Sequence, residues 1–165
     1  KSKKNERLYL IMQTICATGI RVSELKYVDV NSVMTGHAQV RLKGKIRMII
    51  LPKELCALLK KYIKERHITS GTVFVTRKGH PVDRHSIWKS MKQLCETAGV
   101  SKEKVFPHNL RHLFARTYYS LQKDIVRLAD ILGHSSVNTT RIYTMENGNT
   151  HRRQMQRMGL VRMQN

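Results

Sequence analysis

Apolar residues in the first third of the chain follow a helical spacing at first and a strand spacing later. The first helical set, which stops before the turn at Gly19, is Leu8, Ile11, Met12 and Ile15. Ser23 can cap a short second helix that reaches Lys26. The segment HAQVRLK then alternates in character, KGK supplies a glycine turn, and the β-branched run IRMIIL follows. This order predicts an antiparallel hairpin.

The middle of the chain is predicted to add two helices and a third short strand. Pro52 opens a helical stretch whose apolar positions share one face, namely Leu55, Leu58, Leu59 and Ile63. Residues 72–76 have the composition of a short strand. Asp83 can cap the next helix, and Gly99 can end it.

The last third of the chain has helical spacing from Pro107 onward, with breaks at polar stretches that contain glycine. The predicted segments are residues 107–120, 124–132, 137–143 and 150–159. Together these elements predict an α+β fold that is mostly helical and has a small antiparallel three-stranded sheet. With 165 residues and 41% hydrophobic content, the chain can bury one substantial core, so we expect a single domain over residues 1–165.

The charge of the chain is strongly positive and narrows the choice of partners. It contains 31 Lys and Arg against 11 Asp and Glu, which gives a formal net charge of +20. The basic residues are spread from Lys1 to Arg162, a distribution that favours a folded positive surface over a basic tail. Because such self-repulsion is costly unless the molecule works beside a polyanion, nucleic acid is the first partner to test. Charge alone does not distinguish DNA from RNA or from anionic lipid.

Cysteine usage and hydropathy point to an intracellular protein. The three cysteines are odd in number and form no CxxC pair, which argues against both a disulfide framework and a thiolate zinc site. No apolar run approaches the roughly 18 residues that a membrane span needs, and the charged start precedes too short an apolar segment for a secretion signal. We expect a cytosolic protein. Because the sequence begins at Lys1 rather than Met, we expect a piece of a longer chain.

Several polar residues are of the types needed to cleave a DNA phosphodiester without a metal. Such a reaction needs a nucleophile, cations around the phosphate and an acid for the departing sugar oxygen. In HNLRH, His108 and Arg111 are three apart, so on a helix they share one face and can hold the same phosphate. His112 lies four residues after His108, but the glutamate of HExxH is missing, so zinc is not predicted.

The segment LGHSSVNTTRIYT places His134 in a glycine turn, ahead of the helix that leads to Tyr143. Taken singly, such a tyrosine is more often a packed aromatic, and such a histidine is more often a turn residue. The combination of both with the other motifs is more specific than either one.

Five motifs in order resemble the tyrosine recombinase family, also called the phage-integrase family. They are ATGIRVSEL, KGK, PHNLRHLFA, LGHSSVNTT and RIYT, and they extend over about residues 17–144. The nine-residue step from His134 to Tyr143 also fits the family. The resemblance implies the catalytic domain of a site-specific DNA recombinase or integrase, which cleaves and rejoins DNA strands through a 3′-phosphotyrosyl intermediate.

The resemblance also implies a role for each matched residue. Tyr143 is the nucleophile, Arg111 clamps the scissile phosphate, and His108 assists proton transfer or contacts the transition state. His134 is a further phosphate ligand, and Arg21 is the first arginine of the site. The planar fork of arginine suits a phosphate oxygen pair.

Two further roles concern the acid that protonates the 5′ oxygen and a supporting carboxylate. Lys43, in the hairpin turn, is the predicted general acid, and Lys45 is close enough to substitute for it. Either lysine can instead be a solvated charge that contacts the DNA backbone. Glu24 is predicted to hold Arg21 in place.

By the same resemblance, the reaction requires no cofactor and no metal, and the partners are double-stranded DNA and further copies of the chain. The expected assembly is a tetramer on paired DNA sites, with a monomer allowed off DNA and no membrane contact. The N-terminal DNA-binding domain that the family usually has is not matched within residues 1–165, and residues 150–165 are expected to dock on a neighbouring protomer.

Two other functions remain compatible with the same residues. A type IB topoisomerase uses a similar fold and chemistry but religates the same strand, and the wording GHSSVNTTRIYT favours the recombinases over it. A non-catalytic basic DNA-binding module would keep the motifs as phosphate contacts only. A covalent tyrosine-linked DNA adduct would separate chemistry from binding.

Overall fold

The computed structural model describes residues 3–42, 45–103, 105–143 and 157–158, and within these ranges it is mostly helical. Its elements, in chain order, are α1 (Lys3–Thr18), a first 3-10 helix (Val22–Tyr27), α2 (Val30–Thr35), β1 (His37–Leu42), β2 (Lys45–Ile50), α3 (Lys53–Glu65), α4 (Arg84–Ala98), α5 (Pro107–Gln122), α6 (Ile125–Leu132) and a second 3-10 helix (Val137–Tyr143). The predicted α+β class is confirmed. No helix within the described ranges is long and apolar enough to cross a membrane.

Side-chain caps and glycines set the ends of several helices. The Asp83 carboxylate accepts the Ser86 amide at 2.9 Å, and Gly99 ends α4 in the left-handed conformation, as the sequence predicts. Helix α2 was not predicted, because its six residues are too few to show a period. Its signals were the flanking residues, since the Asp29 carboxylate caps it and Gly36 ends it with φ +79°.

The first 3-10 helix begins one residue earlier than predicted, and Ser23 does not cap it. Arg21 is the capping residue in its place, and its backbone amide donates to the Glu24 carboxylate at 2.7 Å. The carboxylate of Glu24, the third residue of the helix, therefore provides the side-chain capping bond that was predicted for the hydroxyl of Ser23.

The predicted hairpin is confirmed, but the sheet has two strands in the described part of the chain. Strands β1 and β2 pair antiparallel from His37 with Ile50 to Leu42 with Lys45. The prediction of a third strand at residues 72–76 is wrong, because this segment does not pair with β1 or β2. The Val73 amide donates to the Val28 carbonyl at 2.9 Å, and a turn joins Thr76 to His80 at 2.7 Å.

Buried apolar side chains form two clusters. The larger one contains side chains of α1, α3, α4 and the inner face of the hairpin, and its fully buried members include Ile15, Ile20, Leu59, Phe74 and Ile87. The smaller one, here called the α5–α6 cluster, consists of Ala115, Leu128, Leu132 and Tyr143. Burying a side chain of this size stabilises the fold by about 1.5–3 kcal/mol.

Gly19 fixes the approach of α5 to α1. It ends α1 with φ +65°, and a Cβ at this position would collide with the ring of Phe114. Only glycine meets both demands without strain. The close approach brings Arg111, in the first turns of α5, against the backbone carbonyl of Gly19.

Two predicted features lie outside the described residues. They are the hairpin-turn residue Lys43 and the tail over residues 150–165, apart from residues 157–158. For Lys45, the structure gives the backbone position only, at the start of β2.

Candidate active site

The carboxyl end of helix α6 is the point on which three arginines converge. Three consecutive carbonyl oxygens there each accept a hydrogen bond from a different guanidinium group. The pairs are Ile131 with Arg47, Leu132 with Arg111 at 2.7 Å, and Gly133 with Arg21 at 3.3 Å. The last carbonyls of a helix have no intrahelical partner and carry partial negative charge, so they suit cationic donors.

Glycine at position 133 makes this convergence possible. Gly133 ends α6 at φ +65°, and the amides of Gly133 and His134 fold back onto the carbonyls of Asp130 and Ala129. A Cβ on Gly133 would lie 2.7 Å from the side chain of Arg47. The turn therefore needs glycine for its backbone conformation and for the passage of an arginine.

Glu24 is a buried carboxylate shared by two arginines. Its side chain is 1% exposed, and its Oε1 and Oε2 receive Arg21 Nη1 at 3.2 Å and Arg47 Nη2 at 2.5 Å. Burial by itself would raise the pKa of Glu24, but the Arg21 amide and the Arg47 guanidinium hold it below the ordinary value. The carboxylate is therefore ionised and fixes both arginines. This places Glu24 beside Arg21, where the sequence predicts it.

Arg111 is a buried cation whose fork is held by the backbone. It is 2% exposed, and its Nη1 donates to the Gly19 carbonyl at 2.5 Å. Its Nη2 donates to the Leu132 carbonyl at 2.7 Å and to His134 Nε2 at 3.1 Å. Burial, followed by the charge of Arg21, lowers the pKa of Arg111 to about 10, so the group stays charged at neutral pH. Its position is thus fixed before any ligand arrives.

The contacts of His134 define its protonation state. Because a guanidinium group only donates, Nε2 is the acceptor toward Arg111, and the proton sits on Nδ1, which donates to Thr140 Oγ1 at 2.8 Å. Burial and the charge of Arg111 lower the pKa of His134 to about 4. The ring is therefore neutral at pH 7, and Thr140, which is fully buried, sets its orientation.

A cleft of about 940 Å³ opens between the hairpin and the end of α6. Its lining includes Arg21, Arg47 and His134 on the polar side and Ile46 and Met48 of β2 on the apolar side. The side chain of Arg21 is 40% exposed, so this charge remains available to a ligand. The cleft combines cations with room for an anion.

His108 is an exposed residue on the first turn of α5, and the same arginine charges act on it. Burial, then Arg111 and Arg21, lower its pKa below the ordinary value. Its neighbour one turn on is His112, whose ring meets it edge to face at a centroid distance of 4.3 Å. His108 thus borders the arginine cluster, as the HxxR spacing predicts.

Tyr143 lies in the α5–α6 cluster and is 8% exposed. Its ring packs edge to face on His112, with a centroid distance of 5.0 Å. Burial raises the pKa of Tyr143, and the nearby charge of Arg111 opposes that rise without cancelling it. The phenol is therefore protonated at neutral pH. It lies next to the arginine cluster rather than among the residues that line the cleft.

The structure thus brings Arg21, Arg111 and His134 together at one helix end, with Glu24 behind them and His108 beside them. Tyr143 is near enough to feel their charge but packs on His112. Lys43, as the predicted acid, lies outside the described residues, and Lys45 has a described backbone only.

Three residues of this arrangement were missed from the sequence, namely Arg47, Thr140 and His112. In β2 the side chains at 46, 48 and 50 are exposed while Ile49 is buried, so Arg47 faces inward. The run IRMIIL has apolar residues on both faces, and for this reason its strand phase was ambiguous. Had the phase been known, an inward arginine would have indicated a buried acidic partner.

Metal-ligand groupings are absent from the described residues, where no three His, Cys, Asp or Glu side chains cluster as an ion would require. His108 and His112 face each other as rings and have no acidic third partner there. What this part of the molecule does offer is a set of fixed cationic donors.

Comparison with known proteins gives concordant similarities in sequence and in fold. The model of the phage integrase family matches residues 1–150. The tyrosine recombinase XerH of Campylobacter jejuni subsp. jejuni is 38% identical over 141 residues, which cover 82% of this chain and 40% of that protein. The tyrosine recombinase XerA of Pyrococcus furiosus is 36% identical over 152 residues, which cover 87% and 51% respectively.

A solved structure shares the fold as well. The crystal structure of the XerH site-specific recombinase bound to its difH substrate, a pre-cleavage complex, superposes with a TM-score of 0.75 at 28% identity. The match covers 92% of this chain and 46% of that chain. The chain therefore spans about half the length of the curated relatives it matches.

Proposed function

The chain belongs to the phage integrase family, and from this membership we propose that it is the strand-cleaving part of a site-specific DNA recombinase or integrase. The observation that carries the proposal is the convergence of Arg21, Arg111 and His134 on the end of α6, with Tyr143 beside them. Without this convergence, the residues of the family motifs would lie too far apart to act on one phosphate.

The proposed ligand of the cluster is the scissile phosphate of double-stranded DNA. Arg21 keeps an exposed guanidinium group at the cleft, and Arg111 supplies a second positive charge behind it. The neutral ring of His134 accepts a hydrogen bond from Arg111 and so helps to hold that charge in place. Donors that are fixed in advance stabilise the extra negative charge of the transition state without reorganising. His108, on the first turn of α5, is proposed to contact the same phosphate or to assist in proton transfer.

In the proposed reaction, Tyr143 Oη attacks the phosphorus and the bond from phosphorus to the 5′ oxygen breaks. The DNA is then joined to the protein through a 3′-phosphotyrosyl link, which conserves the energy of the broken bond. Lys43 is proposed to protonate the departing 5′ oxygen, and Lys45 is the alternative. Attack of a second DNA end on the link reverses the step and joins new strands.

Partners and assembly follow from the same proposal. The relative XerH was solved on its difH substrate, and the net charge of +20 suits a DNA ligand. We propose self-association as a tetramer on paired sites, with the DNA of the cytoplasmic nucleoid as the place of action. The relatives are named recombinases, which supports strand exchange over topoisomerase-like relaxation.

The test is the capture of a covalent adduct, compared between the unsubstituted chain and Tyr143→Phe. A library of nicked duplexes with a randomised site is incubated with each protein, and adducts are separated on a denaturing gel and sequenced. We expect adducts for the unsubstituted chain and none for Tyr143→Phe, with duplex affinity nearly unchanged, since only the nucleophilic oxygen is lost.

Tyr118→Phe is the matched control, because it removes a phenolic oxygen from the same region without removing the proposed nucleophile. It should form adducts at the unsubstituted rate. An adduct that persists in Tyr143→Phe, or affinity for DNA with no adduct in any protein, would overturn the proposal and favour a non-catalytic binding module.

A further inference from the structure

His112 occupies a position between the phosphate-binding residues and the proposed nucleophile. It lies one turn after His108 on α5, and its ring meets that of His108 at a centroid distance of 4.3 Å and an angle of 72°. On its other side it meets the ring of Tyr143 at 5.0 Å and 74°. The three rings form a continuous edge-to-face row.

The Nε2 atom of His112 is buried and has no hydrogen-bond partner among the described residues. Among the described residues, it is the only buried side-chain nitrogen or oxygen without a hydrogen-bond partner. Native proteins leave few such atoms unpaired, because water has been removed and nothing replaces it, so each exception calls for an explanation. An unpaired nitrogen on a ring that contacts the proposed nucleophile can be explained if it gains a hydrogen-bond partner during the reaction.

His112 is neutral in the resting protein. Burial lowers its pKa, and the charges of His108, Arg116 and Arg111 on the same helix lower it further. The other titratable group in ring contact with it is Tyr143, whose own pKa is raised by burial. The pair therefore consists of an uncharged imidazole and a protonated phenol at neutral pH, as a proton acceptor and its donor should be before transfer.

We propose that His112 accepts the phenolic proton of Tyr143 as strand cleavage begins. The inference rests on the proposed function. As the phenol turns toward the phosphate, its proton passes to Nε2, the bond from Oη to phosphorus forms, and the bond to the 5′ oxygen breaks. The 5′ oxygen takes its proton from the separate acid, and the His112 imidazolium returns its proton to Oη when the link is later reversed.

Other acceptors near the cluster are less suited to this role. His108 is exposed, and in the row of rings it contacts His112 rather than Tyr143. Nε2 of His134 accepts from Arg111, and its Nδ1 proton is held by a buried threonine hydroxyl. Glu24 is buried and bonded to two arginines, which keep it ionised but also occupied. This leaves His112 as the acceptor in ring contact with Tyr143 in the described part of the chain.

The test compares the rate of adduct formation by the unsubstituted chain with that of His112→Phe and His112→Gln, using a DNA sequence captured as described above. Phenylalanine keeps the aromatic contacts of the ring, and glutamine keeps a polar end, but neither accepts a proton. Loss of a positioned proton acceptor typically slows a reaction by about 100-fold or more, so both variants should be slower by at least that factor. His37→Phe, an exposed position on β1, is the matched control.

The pH profile separates proton transfer from a merely structural role. A duplex with sulfur in place of the bridging 5′ oxygen removes the need for an acid, so the remaining pH dependence reports on the nucleophile. We expect the unsubstituted chain to reach its maximal rate near neutral pH and both variants to accelerate into the alkaline range, as the phenol ionises unaided.

Rates within about threefold of the unsubstituted chain, or an unchanged pH profile in whichever variant folds, would overturn the inference. Absence of an adduct from the unsubstituted chain would instead overturn the proposed function, so the two failures are distinguishable. Thermal melts of both variants confirm that the comparison is made between folded proteins.

Discussion

Arg111 shows how a single buried charge is made tolerable. An isolated ion in an apolar interior is very costly, and burial has indeed lowered its pKa to about 10. Two backbone carbonyls and one imidazole nitrogen contact its two terminal nitrogens, at distances of 2.5–3.1 Å, which leaves some of its five N–H donors for a ligand. Two of these three contacts are to backbone oxygens, which side-chain substitutions elsewhere do not remove.

Replacing this arginine by lysine should impair cleavage although the charge is kept. In Arg111→Lys, a single ammonium group cannot reach the Gly19 and Leu132 carbonyls and His134 together, so positioning is lost. We expect cleavage to fall by about 100-fold, which corresponds to about 2.7 kcal/mol. Arg116→Lys, an exposed position on the same helix, should leave the rate unchanged. Equal rates for the two variants would argue against the clamp.

His134 makes stability depend on pH in a defined direction. Its pKa falls from an ordinary 6.5 to about 4 in the folded protein, so below 6.5 the unfolded chain takes up a proton that the folded one does not. The free energy of unfolding should therefore fall as pH drops from 6.5 to 4, by at most about 1.4 kcal/mol per pH unit for one proton.

Thermal melts across this range measure the effect, and His134→Gln is the comparison. Because His108 and His112 also have lowered pKa values, the variant should keep part of the acid sensitivity and lose the share due to His134. Parallel pH curves for the two proteins would contradict the assignment of the neutral ring.

At this scale the sequence was most informative where a motif fixed the spacing. The arginine and histidine positions carried by HNLRH and LGHSS were recognisable, and two of them, Arg111 and His134, do meet at one helix end. Thr140 and His112 were not recognised as partners, because their significance depends on burial and on ring contacts across elements. No single stretch of sequence displays such contacts.

Between elements, Arg47 links the hairpin to the end of α6. Its side chain extends from β2 and lies against Gly133. The guanidinium group donates to the Ile131 carbonyl and forms an ion pair with the buried Glu24. The hairpin also carries the turn in which Lys43 is found. The strand that contacts the helix end is therefore adjacent in sequence to the proposed acid.

Removing this link should loosen the site without unfolding the core. In Arg47→Met, Glu24 keeps Arg21 but loses a charged hydrogen bond, so we expect a loss of about 2 kcal/mol in the free energy of unfolding and slower cleavage. Arg41→Met removes the same charge from the exposed face of the neighbouring strand and should change neither property. Chemical denaturation and adduct rates provide the two measurements.

The elements themselves were predicted well where the period was long and poorly where it was short. Helices α1, α3, α4 and α5 and the hairpin follow from spacing and caps. The segment at 72–76 has strand composition, but its partners are Val28 and a local turn, and composition does not reveal pairing partners. Helix α2 was too short for its period to be visible.

For the molecule as a whole, the net charge of +20 should dominate its affinity for DNA. Each phosphate neutralised releases counterions, so binding weakens steeply as salt increases. We expect the association constant for random duplex to fall by about 1,000-fold or more between roughly 50 and 200 mM salt. Fluorescence anisotropy measures this, and an affinity that is insensitive to salt would show that the basic surface does not contact the backbone.

The end of α6 has a consequence for any attempt to transplant this chemistry. Three neighbouring guanidinium groups repel one another. Here the repulsion is offset by hydrogen bonds to the carbonyls at one helix terminus and by the negative charge of Glu24. Copying the arginines alone onto another scaffold would scatter them. A transplant would have to include the end of α6 and its glycine turn, because their carbonyls hold the arginine side chains in place.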